Sequence, residues 1–68
     1  MNRRIAPWFR VMLYRGTECV QQSDVQGLIP AKLAAIAEAR EPANADVTHI
    51  DICQLVGHEL VLITRINR

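Results

Sequence analysis

A chain of 68 residues and net charge +1 is bounded to one small domain. At this size only about 60% of the unfolded surface is buried on folding, so a disulfide, a metal or a second subunit is the usual support. Half of the residues are hydrophobic and three are aromatic, which excludes a disordered chain and calls for a core of Ile, Leu, Val and Ala.

The first predicted element is Trp8 to Arg15, where Phe9, Val11 and Leu13 alternate with Trp8, Arg10, Met12 and Tyr14. That period of two reads as a strand. Arg15-Gly16-Thr17 is a turn signal, and Glu18 to Gln22 is expected to pair back as a polar edge strand with Cys19 and Gln21 on one face and Val20 on the other. Ser23 with Gln26 resembles a capping box, and Val25, Leu28 and Ile29 hold helical spacing, so a turn of helix is expected before Pro30. Ala31 to Arg40 then carries a narrow apolar stripe of Leu33, Ile36 and Ala37, and Pro42 ends it.

After the connector Ala43-Asn44-Ala45, Val47 to Leu55 alternates again, with Thr48, Ile50 and Ile52 opposed to His49, Asp51 and Cys53. Gly57-His58 is expected to turn the chain into Leu60, Val61, Leu62, Ile63 and Thr64, a short β-branched run flanked by Glu59 and Arg65. Such a run predicts a strand covered on both faces. With that turn Ile52 faces Ile63 and Gln54 faces Val61, while Leu60, Leu62 and Ile66 join the face of His49, Asp51 and Cys53. The order strand, strand, helix, strand, strand predicts an α+β fold, a four-stranded antiparallel sheet with one helix packed on one face, in a single domain over residues 1–68. One helix cannot cover both sheet faces, so a partner is expected on the other.

Charge is unevenly placed. Arg3, Arg4, Arg10 and Arg15 precede the first acid, Arg65 and Arg68 close the sequence, and all seven acids lie between. If the first and last strands are neighbours, these arginines form one basic zone. Two cysteines, Cys19 and Cys53, are too few for a disulfide scaffold, no apolar run approaches the roughly 20 residues of a membrane helix, and no signal-peptide core follows Arg3 and Arg4. A soluble, cytoplasmic protein is expected.

Chemistry has few candidates. Cys19, His49, Cys53 and His58 lack the close ligand pairs of a structural zinc site. His49 and Asp51 share a strand face within hydrogen-bond reach, but Cys53 stands ~6–7 Å along that strand between Cα atoms, too far for a thiol activated by its neighbour. No Gly-rich phosphate loop is present. The expectation is no catalytic residue, no metal and no cofactor.

The face of Trp8, Arg10, Met12 and Tyr14 mixes aromatic, cationic and flexible apolar side chains, a mixture found where a protein meets another protein or single-stranded nucleic acid. With Arg15 and Arg65 these are the candidate binding residues. A dimer face would carry the same composition, and the near-neutral total charge weighs against a dedicated nucleic-acid binder.

The layout as a whole, an opening strand, an alanine-rich helix and a closing hairpin of the form Val47-Thr48-His49-Ile50-Asp51-Ile52 then Gly57-His58-Glu59-Leu60-Val61, resembles the small phage-encoded anti-CRISPR proteins that act on type I surveillance complexes. The resemblance implies a non-enzymatic inhibitor in the host cytoplasm that binds a Cas subunit of the crRNA-guided complex and blocks target-DNA engagement. It supplies no motif from which residues can be carried over. The expected partner is therefore a protein, with a homodimer or a small nucleic-acid-binding module as the alternatives, and no membrane.

Overall fold

The computed structural model describes residues 5–68, which leaves Arg3 and Arg4 outside the description. Strands β1 (Trp8–Arg15) and β2 (Glu18–Gln26) form one hairpin, and helix α1 (Leu28–Arg40) follows it. A short 3-10 turn (Pro42–Asn44) leads to a second hairpin of β3 (His49–Val56) and β4 (Glu59–Asn67). Each hairpin turns on a glycine in the left-handed region, Gly16 at φ 62° and Gly57 at φ 61°, where a side chain would be strained. The four strands make one antiparallel sheet in the order β2-β1-β3-β4, with the helix on one side. This is the α+β arrangement that the alternation of the sequence implies.

The centre of the sheet is where alternation is cleanest. Phe9, Val11 and Leu13 of β1 and Ile50 and Ile52 of β3 all point to the helix side and are buried, closed by Val47 and by Ala31 and Ala35 of α1. Because β1 pairs with β3, the first and last strands are not neighbours. The basic zone that their adjacency would have created does not form. Pairing the two most apolar inner faces at the middle buries more surface than placing β1 beside β4.

Helix α1 differs from expectation at its start and in its orientation. Strand β2 continues to Gln26, so Ser23 and Gln26 belong to the sheet and no side chain caps the helix. Gly27 is the capping residue, at φ 94°, with its N–H donating to the Pro7 carbonyl at 2.8 Å. A Cβ there would also meet the Pro30 ring at 3.2 Å, so only glycine can make this corner without strain. The helix turns its alanines to the sheet: Ala31 and Ala35 are fully buried, whereas Ile29, Leu33 and Ile36 are 72%, 61% and 41% exposed. The stripe of Leu33, Ile36 and Ala37 thus faces outward. The sheet already supplies the large core side chains, and small residues let the helix lie close on top of them. At the other end the Asn44 side chain donates to the Glu38 carbonyl and carboxylate at 3.0 and 2.7 Å, binding the helix terminus to the 3-10 turn.

Both outer hairpins contain a bulge. On β2 the register skips Val20, so Cys19 lies opposite Tyr14 and Gln21 opposite Leu13, on different faces rather than the same one. On β4 it skips Ile63: Gln54 faces Val61 as the turn implied, but Ile52 faces Thr64 and Ile50 faces Ile66. The extra residue shifts Ile66 from the outer face to the helix side, where it packs on the core.

The expectation that β4 is covered on both faces is overturned. It is an edge strand, and α1 packs chiefly on β1, β2 and β3. Leu60, Val61, Leu62 and Ile63 are each exposed by 42–51%.

Candidate docking surfaces

The sheet face away from the helix collects four of the six predicted binding residues in one row: Trp8, Arg10, Met12 and Tyr14 of β1. Cross-strand register adds Gln22 and Asp24 from β2, His49, Asp51 and Cys53 from β3, and Arg65 from β4. Arg65 is thereby brought to the same face, two strands from β1. Arg15 lies at the end of β1, where its guanidinium pairs with Asp46 at 2.7 Å.

The charged side chains of this face are paired with one another. Arg10 donates through Nε and Nη2 to the two oxygens of Asp24 at 2.8 and 3.2 Å. Arg65 grips Asp51 in the same forked way, at 2.7 and 3.0 Å. Such two-point contacts fix orientation as well as charge, because the planar guanidinium matches the carboxylate. Three of the predicted binding arginines are therefore matched to aspartates of the chain itself.

Beyond both forks, toward the Arg15 end of β1, lies an aromatic pair. The rings of Tyr14 and His49 stack at 4.8 Å with an interplanar angle of 7°. His49 Nδ1 lies 3.0 Å from the Thr48 hydroxyl, which also accepts the Gly16 N–H at 2.9 Å. His49 is thus held by Tyr14 and Thr48, while the carboxylate of Asp51 belongs to Arg65. The expected hydrogen bond between His49 and Asp51 is replaced by these two separate attachments.

The electrostatics follow from these contacts. The hydrogen bond from Arg10 pulls the Asp24 carboxyl below its ordinary range, and the same bond raises Arg10. Arg65 is raised first by its hydrogen bond to Asp51. Desolvation raises the Tyr14 phenol and the Cys53 thiol, and in each case the Asp51 charge adds to it. A thiol that is 7% exposed and pushed toward its protonated form is a poor nucleophile. Among the described residues no pocket opens and no three His, Cys, Asp or Glu side chains gather as metal ligands. No helix among them is long and apolar enough to cross a membrane.

What this surface offers, among the described residues, is a sheet face turned away from α1. Trp8 is 47% exposed at one end, Met12 and Tyr14 are half-buried in the middle, and the ion pairs hold the intervening side chains in place. The sequence reading missed two further surfaces. One is the outward stripe of α1, visible in the i, i+4, i+7 spacing of Ile29, Leu33 and Ile36. The other is the uncovered β4 edge, whose apolar run was recognised but assigned to a buried position.

No family model matches the chain, and no curated protein or solved structure shows significant similarity to it.

Proposed function

We propose that this protein acts without catalysis, by docking its open sheet face on a protein partner. The row Trp8, Arg10, Met12 and Tyr14, lying on the side of the sheet that no helix covers, carries the reading. Trp, Tyr, Met and Arg are the residues enriched where proteins meet, and here they stand on paired strands that need little ordering on binding. Arg10, Arg15 and Arg65 are each paired with an aspartate of the chain, which makes these three arginines poor phosphate ligands and favours a protein over a nucleic acid.

In its sharpest form the partner is a Cas subunit of a type I surveillance complex, and the protein is a phage anti-defence inhibitor that occupies the surface needed for target DNA. The test is binding of the purified protein to a purified type I complex, with target-DNA retardation as the second readout. Wild-type protein should bind and displace target DNA, and Met12→Asp should lose binding by at least 100-fold while retaining the far-UV circular dichroism of the wild type. Binding unaffected by Met12→Asp and by Trp8→Ala would remove the docking face. Absence of binding by the wild type would remove this partner class.

A further inference from the structure

Among the described residues, β4 is the more apolar of the two sheet edges. A long apolar edge strand exposes a row of main-chain donors and acceptors and is a template for another strand. Its nine residues at ~3.4 Å each span about 30 Å. Leu60 and Leu62 are exposed on one face and Val61 on the other, with Val56 of the neighbouring strand 48% exposed beside them. From this geometry we infer that β4 pairs antiparallel with β4 of a second copy of the chain, joining two four-stranded sheets into one of eight.

Charge selects the copy and its direction. Glu59 opens β4 and Arg68 follows its end, while Arg65 is already held by Asp51. An antiparallel approach sets the acidic end of each strand beside the basic end of the other, twice over, whereas a parallel approach sets like charge on like.

The bulge limits the register. Side chains facing each other across an antiparallel pair must lie on the same side of the sheet. The skipped Ile63 changes the parity of β4, placing Leu60, Leu62 and Arg65 on the open face and Val61, Thr64 and Ile66 on the helix face. A twofold axis between Leu62 and Ile63 then puts Leu60 opposite Arg65, Val61 opposite Thr64, and Leu62 opposite Ile63 of the other copy. Every pair set by the regular segments keeps to one face. Main-chain pairing over this length supplies on the order of eight hydrogen bonds, within the range of an ordinary specific interface of about ten.

This pairing is independent of the docking face, because it uses the edge of the sheet and leaves both open faces free. Sedimentation equilibrium of the full chain across micromolar concentrations tests it. The expected result is a dimer, weakened at least 100-fold by the double substitution Val61→Lys and Leu62→Lys, with unchanged far-UV circular dichroism. Gln21→Lys on β2 should leave it intact. Should the double variant fail to fold, Val61→Cys with Thr64→Cys on a Cys19→Ser background should oxidise to a covalent dimer, since the two positions meet only between copies. A wild-type monomer at 100-fold higher concentration would overturn the inference. So would a dimer insensitive to the β4 lysines but broken by Leu33→Lys on the helix or Met12→Asp on the sheet face, a cysteine pair that stays reduced, or association that continues past two copies.

Discussion

The two edges of this sheet are built from opposite materials. β2 carries Glu18, Gln21, Gln22, Ser23, Asp24 and Gln26, and it is anchored by the helix, by Val25 against the core and by the Arg10–Asp24 fork. β4 carries Leu60, Val61, Leu62 and Ile63, and the helix packs chiefly on the other three strands. In an isolated chain the polar strand would be the natural choice for exposure and the apolar strand for cover. Here both strands are exposed, so the described residues leave the apolar strand without the cover its composition calls for, in keeping with the support that small chains usually require.

This contrast can be broken most forcefully at the helix seam. Ala35 is fully buried against the sheet, so Ala35→Leu should force α1 away from β1 and β3 and cost about 1–3 kcal/mol in urea unfolding. Val61→Leu, a similar enlargement on the uncovered strand, should change stability by less than about 0.5 kcal/mol. Equal effects at the two positions would mean that β4 is as tightly covered as the centre. A smaller effect is expected at the turn of the second hairpin. No atom would meet a Cβ on Gly57, so Gly57→Ala should cost about 1–2 kcal/mol through its left-handed backbone alone. Hydrogen exchange should register that cost first in β4, because little beyond β3 and the core contact of Ile66 holds that strand down.

The smallest effect concerns the polar edge and acid. Asp24 has a depressed pKa in the folded chain, chiefly through its hydrogen bond from Arg10. Its contribution is complete above the unfolded carboxyl value of about 3.9 and is lost as pH falls through the lower folded value. Stability below about pH 4 should therefore fall less steeply in Asp24→Asn than in the wild type, with little difference between pH 5 and pH 8. Both partners are solvent-exposed, so salt should weaken even this modest dependence.

Element order, the central strands and the two turns could be read from the sequence because each rests on a local rule. The alternation of Phe9, Val11 and Leu13 specifies an inner face wherever the strand is placed, and Gly16 and Gly57 mark corners that other residues resist. The orientation of α1 was hidden for a different reason. Leu33 and Ile36 are the larger apolar residues, but the sheet beneath already carried enough volume, and that depends on Ile50 and Ile52 some twenty residues away. The bulges at Val20 and Ile63 were equally illegible, since one skipped residue leaves no mark in composition yet moves Ile66 across the sheet. At the docking face, the residue types of Trp8, Arg10, Met12 and Tyr14 were visible in advance. Their partners were not: Asp24, Asp46 and Asp51 become counterions only once the strands are paired.

The polar composition of β2 has one more consequence, best stated in the language of polymer chemistry. A unit with two reactive ends grows into a chain, whereas a unit with one stops after a single coupling. With β2 capped by glutamines and carboxylates, each protein carries one competent end. The coupling proposed through β4 would therefore consume it and terminate growth, so that a strand able to seed fibrils would yield a finite assembly of two.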